Sequence, residues 1–138
     1  MSETVQSESR PKLTSFGLEE LRNGDTRAVV ELTWADGDLT RGSRTGHSGE
    51  PGTMRSAAQA CLDALAPKLG AVAFELLGVK AVRAFDATVV VVSLSVIGGV
   101  SGPRLVGSAL VEESGISRGA VIAVLQATNR LTASPMHR

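Results

Sequence analysis

Thr88-Val-Val-Val-Val92 constrains the fold more than any other stretch of the chain. Five β-branched residues in succession favour extended backbone. They show no apolar–polar alternation, so the strand they form is expected to be covered on both faces. Residues 26–34, TRAVVELTW, do alternate, with Ala28, Val30, Leu32 and Trp34 on one face. Ala35-Asp36-Gly37-Asp38 reverses the chain, because Asp-Gly accepts the positive φ of a tight hairpin, and 39–46 return as a polar strand. A glycine-rich loop over 46–52 leads into a helix expected from about 53 to 66. Its apolar stripe is Met54, Ala57, Ala58, Cys61, Leu62 and Leu65, and Pro67 ends it.

The second half repeats this order. Residues 71–84 and 86–97 are extended and apolar, Ile97 to Pro103 is a hairpin connection, and 104–112 return. A last helix spans about 117–131, with Ser114 or Ser117 as N-cap and Val121, Val124, Leu125, Thr128 and Leu131 facing the core. Arg27-Ala28-Val29-Val30 aligns with Asp86-Ala87-Thr88-Val89, and Gly42-Ser43 with Gly107-Ser108. The repeat predicts a pseudo-twofold α+β fold of antiparallel sheets with helices on one face. The apolar valine strand then calls for cover from a second copy, so a homodimer is expected.

At 138 residues, one domain is expected over 13–132, with a disordered tail over 1–12 and a flexible C-terminus over 133–138. Basic and acidic residues balance at 14 each, which gives no electrostatic support for nucleic acid or membrane partners. Aromatics are 3% of the chain, too few for stacking platforms. The single cysteine leaves no disulfide framework and no multi-cysteine metal site. The N-terminal residues carry no hydrophobic signal core, so the expected location is the cytoplasm.

Four segments in order resemble the C-terminal regulatory, dimerisation domain of 2-isopropylmalate synthase and its relatives. Leu13-Thr-Ser-Phe16 with Ala28-Val29-Val30-Glu31-Leu32 is similar to that domain's opening strands. Gly46-His-Ser-Gly49-Glu-Pro51-Gly52, running into Leu62-Asp63-Ala64-Leu65, is similar to its Gly-Asn-Gly-Pro loop and following helix. Phe85-Asp86-Ala87-Thr88 resembles its Asp-Ala strand. Val106-Gly107-Ser108 with Ala127-Thr128-Asn129-Arg130 resembles its Trp-Gly-Val-Gly strand and final Ala-x-Asn-Arg helix. The loop here is one residue longer, and Leu-Val-Gly-Ser replaces Trp-Gly-Val-Gly. The resemblance makes the ambiguous segment 13–22 a strand and implies two strand-strand-strand-helix units. It also implies an allosteric, amino-acid-metabolism role: a free-standing regulatory domain, without the catalytic barrel, that binds an end-product acid and serves a partner enzyme. The implied ligand-binding residues are Gly46, His47, Ser48, Gly49, Pro51, Gly52, Asp86, Ala87 and Gly107.

The residues themselves offer limited chemistry. His47 has no second histidine or cysteine at ligand spacing, so neither a metal nor another cofactor is expected. As a general base it would need an orienting carboxylate, and Glu50 is the neighbour in sequence. His137 belongs to the tail. Cys61 lies on an apolar stripe and reads as a core residue. Gly98-Gly99 and Gly102 lack the lysine and helix of a phosphate loop. Asp86 suits either a ligand's amino group or a turn. The amides of the loop 46–52 and the helix dipole behind it suit a carboxylate, which makes the region complementary to a small amino, keto or hydroxy acid. The reading is a non-catalytic, homodimeric metabolite-binding domain. Its rivals are a scaffold without ligand, and a small enzyme that uses His47 or Asp86 with Arg83.

Overall fold

The computed structural model describes residues 10–97 and 104–133, with side chains through Asn129. The strands are β1 (Lys12–Glu20), β2 (Asp25–Thr33), β3 (Leu39–His47), β4 (Ala73–Ala84), β5 (Ala87–Ile97) and β6 (Arg104–Val111). Two helices, α1 (Glu50–Leu65) and α2 (Ile116–Ala133), follow β3 and β6. The fold is therefore two strand-strand-strand-helix units, each with an antiparallel three-stranded sheet, β1-β2-β3 and β4-β5-β6. Residues 13–22 are a strand in their greater part. The second hairpin connection, with Gly98, Gly99 and Gly102, lies outside the described residues, as do residues 1–9 and His137.

Each central strand alternates strictly. In β2 the buried face is Thr26, Ala28, Val30 and Leu32, and in β5 it is Thr88, Val90, Val92 and Leu94. Helix α1 packs on β2 and β3, α2 packs on β5 and β6, and the helices pack on each other. One core results, lined by an alanine face on each helix: Ala57, Ala60 and Ala64 on α1, and Ala120, Ala123 and Ala127 on α2. Small side chains let helix and sheet approach closely. At Gly42 an added Cβ would stand 2.0 Å from the Ala60 carbonyl oxygen, and at Gly107 it would stand 2.0 Å from that of Ala123. Cys61 is fully buried between the helices, its Sγ 3.9 Å from the Val121 carbonyl, and burial pushes the thiol pKa up.

The equivalences between units are more extensive than sequence matching suggests. Gly42 pairs with Val30 and Gly107 with Val92. A β-bulge breaks the register opposite Leu32, between Leu13 and Ser15, and another opposite Leu94, between Leu76 and Gly78. Thr26, Ala28, Val30 and Leu32 thus correspond to Thr88, Val90, Val92 and Leu94. The alignment of Arg27-Ala28 with Asp86-Ala87 is corrected accordingly. It followed a chance Ala match, whereas the packing register follows the buried threonines at the strand starts. Among the described residues the valine strand is covered on its α2 side, and its other face is the one for which cover from a second copy is expected. Val89 and Val91 are half-buried on the other face, beside the exposed Val82, Val106 and Leu110.

The β2–β3 hairpin closes through Gly37 at φ 91°, with the Trp34 amide donating to the Asp38 carbonyl. Helix α1 ends at Leu65 and continues as one 3-10 turn containing Pro67. Lys68 in that turn reaches back to Asp36 and Asp38 at 2.6 and 2.7 Å and lies over the Trp34 ring. A 3-10 turn over Glu113–Gly115, not a serine cap, leads into α2.

Candidate functional site

The end of β3 and the first turns of α1 enclose an open groove of about 250 Å³. The strand contributes Arg44, Thr45, Gly46 and His47, and the helix contributes Gly52, Arg55, Ser56 and Gln59. The helix residues recur at i, i+3, i+4 and i+7, which puts them on one face of α1. Two glycines set how closely that face meets the strand. A Cβ on Gly46 would lie 2.4 Å from the Ser56 Oγ, and one on Gly52 would lie 2.4 Å from the His47 carbonyl oxygen. Gly49, the N-cap of α1, holds φ 113° with open space around it, so its need is conformational.

The helix starts without a side-chain cap and with Pro51 in its first turn. Its positive end lies beside the strand end, where Gly52 meets the His47 carbonyl. Arg44 is held by Asp63 through two hydrogen bonds, Nε to Oδ2 at 2.9 Å and Nη2 to Oδ1 at 3.2 Å. Arg55 is exposed and takes part in no ion pair among the described residues. The groove thus combines a tethered guanidinium, a free one and a helix N-terminus. The hydroxyl of Ser56 and the amide of Gln59 stand on its helix side.

The sequence-predicted residues divide. Gly46, His47 and Gly52 line the groove. Ser48 does not: its Oγ donates to the Gly24 carbonyl at 2.6 Å and lies 2.6 Å from the Thr26 Oγ1, pinning the loop to the β1–β2 turn. Pro51 and Gly49 shape the helix start. Gly107 lies under the Ala123 carbonyl in mid-strand. Asp86 and Ala87 belong to the β4–β5 hairpin, where Phe85 and Asp86 are the two positive-φ residues of the turn, at 55° and 62°.

His47 ends β3 with its side chain 96% exposed, and its Nδ1 stands 3.8 Å from the Asp25 carboxylate. Glu50 is turned elsewhere: it accepts a hydrogen bond from Arg83 at 2.8 Å. The same guanidinium donates to Glu113 at 2.7 and 3.2 Å, and Thr88 donates to Glu113 at 2.9 Å. Hydrogen bonds from Arg83 and then Thr88 hold the Glu113 carboxyl below its usual range. Arg83 therefore ties the start of α1 to the 3-10 turn that follows β6 and is committed to that structural task. Among the described residues no group of three or more His, Cys, Asp or Glu side chains is placed to hold a metal. No helix among them is long and apolar enough to cross a membrane.

Sequence reasoning missed Arg44, Thr45, Arg55, Ser56 and Gln59. For the helix residues the signal was the polar and small stripe on α1 that begins at the already noted Gly52; the β3 residues had none. The chain matches no protein-family model and no curated protein.

Proposed function

We propose that this protein is a non-catalytic, dimeric regulatory domain that binds a small carboxylate-bearing metabolite in the groove between β3 and α1. The reading unites the resemblance to the 2-isopropylmalate synthase regulatory domain with the groove itself. The observation that carries it is the convergence of Arg55, without an ion-pair partner among the described residues, with the uncapped start of α1. Both favour a carboxylate, one by charge-assisted hydrogen bonding and one by oriented amides. The volume of about 250 Å³ suits an amino, keto or hydroxy acid of a few heavy atoms rather than a nucleotide. His47, Ser56 and Gln59 provide polar groups for the remainder of such a molecule.

The test is thermal denaturation with amino, 2-keto and 2-hydroxy acids, each beside its uncharged amide. An acid at 100 times its dissociation constant adds about 2.7 kcal/mol, while the amide adds little. Arg55→Ala removes the stabilisation without changing the unliganded melting temperature, since Arg55 is exposed. A glycine substitution at 52 does not serve, because it strikes the His47 carbonyl with or without ligand. If no acid stabilises the protein, or Arg55→Ala binds undiminished, the reading fails.

A further inference from the structure

We propose that a second copy of this chain covers the outer face of the β4-β5-β6 sheet, packing sheet on sheet about a two-fold axis parallel to β5. The proposal rests on the dimeric reading above and adds which face joins and in which orientation. The two outer sheet faces differ in kind. That of β1-β2-β3 carries Glu19, Arg27, Glu31 and Arg41 in cross-strand register, a surface suited to water. That of β4-β5-β6 carries Val82, Val89 and Leu110 in one row, then Lys80, Val91 and Ser108, then Gly78, Ser93 and Val106. Leu110 is 74% exposed and Val106 59%. A face this apolar on one of two otherwise matched sheets marks an interface.

The charges on that face choose the occupant. Glu75, Ser95 and Arg104 form one row across the sheet, with the carboxylate on one edge strand and the guanidinium on the other. Neither Glu75 nor Arg104 has an ion-pair partner within the chain among the described residues. Face-to-face sheets keep their strands within about 30° of each other. A two-fold axis along β5 lays each copy's β4 over the other copy's β6 and keeps every row over itself. Glu75 of each copy then faces Arg104 of the other, Lys80 faces Ser108, Val82 faces Leu110, and Val89 meets its own counterpart. A two-fold axis across the strands would instead set the Glu75–Arg104 end over the Val82–Leu110 end, desolvating charges against apolar side chains. The face is thus complementary to itself in one orientation, as an isologous interface requires.

Sedimentation of the full chain over a concentration series tests this. The expected result is a wild-type dimer. Glu75→Arg or Arg104→Glu alone weakens it about tenfold by placing like charges opposite each other twice. Glu75→Arg with Arg104→Glu restores it to within about threefold of wild type. Leu110→Arg gives a monomer with an unchanged circular dichroism spectrum. A stable wild-type dimer indifferent to the single reversals, or a double variant that does not recover, overturns this face and orientation while the dimeric reading stands. A wild-type chain that remains monomeric at hundreds of micromolar overturns both.

Discussion

Gly107→Ala tests whether the sheet and helix of the second unit are seated as closely as described. The new Cβ would stand 2.0 Å from the Ala123 carbonyl oxygen and 2.8 Å from both the backbone nitrogen and Cβ of Ala127. Ordinary carbon–oxygen contacts begin near 3.3 Å. The obstacle is helix backbone, so it cannot swing aside, and α2 must lift from β6 by roughly 1 Å. A gap of that size forfeits a quarter to a half of each dispersion contact along the seam, where Ala120, Ala123, Val124 and Ala127 are buried. Overpacking of this kind costs about 1–3 kcal/mol, and the rigidity of the obstacle places Gly107→Ala near the upper end. Better strand propensity returns about 0.5 kcal/mol. The expected net loss is about 2.5 kcal/mol, or a melting temperature lower by roughly 10 °C for a chain of this size. Urea denaturation followed by far-ultraviolet circular dichroism should show a lower midpoint at unchanged slope. Gly42→Ala should match it, since its Cβ meets Ala60 and Ala64 in the same way. Gly17→Ala is the control: nothing lies within 4 Å of its Cβ, and its effect should stay within about 0.5 kcal/mol. If Gly107→Ala and Gly42→Ala both unfold with the wild-type midpoint, the close seating of helix on sheet is refuted.

Three further outcomes are expected. Replacing Phe85-Asp86 by Asn-Gly should raise stability by about 1 kcal/mol, because both positions hold positive φ and the Phe85 side chain, 99% exposed, packs on nothing that would be lost; an unchanged midpoint in urea would refute the strain. Glu113 has a folded pKa depressed below the usual 4.5, by Arg83 first and Thr88 second, so its contribution is complete above pH 4.5 and disappears as pH falls through the lowered value; Arg83→Ala should flatten the acid limb of stability against pH, and an acid limb as steep as wild type would refute the link. Cys61 should label with thiol reagents only as fast as the protein opens, since burial raises its pKa and shields it; native labelling at the unfolded rate would mean that the helix interface is not closed.

The elements were legible where side-chain period and turn chemistry agreed. The alternation of Ala28, Val30, Leu32 and Trp34 marks β2, Asp36-Gly37 marks its hairpin, and the stripe from Met54 to Leu65 marks α1. Gly42 and Gly107 were matched correctly because a buried glycine at a helix–strand crossing leaves a sequence trace. The repeat register was not legible, because Ala28 and Ala87 offer a chance match, while the packing register follows the buried Thr26 and Thr88 at the strand starts. At the candidate site, Gly46, His47 and Gly52 were legible from the loop. Arg44 was not, since nothing in its spacing says that the end of β3 folds over the first turns of α1, and the stripe that holds Arg55 does not by itself say what it faces. The loop glycines also have a physical reason the sequence hides: two allow backbone contact and one holds a left-handed φ.

The duplication explains why one unit has a polar groove and the other an apolar sheet face. Contacts across the helix–strand seam equate Gly46 and Ser56 with Val111 and Gly119. In the first unit the strand supplies the glycine and the helix the larger residue; in the second the roles reverse, and a Cβ on Gly119 would lie 2.5 Å from the Val111 Cγ1. The seam is filled either way, but the chemistry around it changes. Arg44, Thr45 and His47 on β3 correspond to Ala109, Leu110 and Glu112 after the same alignment, and Gln59 on α1 corresponds to Ile122 on α2. Arg44, Thr45 and His47 at the strand end of one unit thus stand where alanine, leucine and glutamate stand in the other, and Leu110 is the most exposed apolar side chain of the outer β4-β5-β6 face. Two copies of one packing solution have thus been turned to different surfaces. The first unit keeps cations beside a helix N-terminus, where an anion is favoured. The second keeps an arginine, Arg118, at the position of Arg55, has alanine and glutamate at those of Arg44 and His47, and places Leu110 on the outer sheet face, where a protein surface is favoured. Because the core contacts at Gly42 and Gly107 are alike in both, this divergence leaves the shared seating of helix on sheet intact.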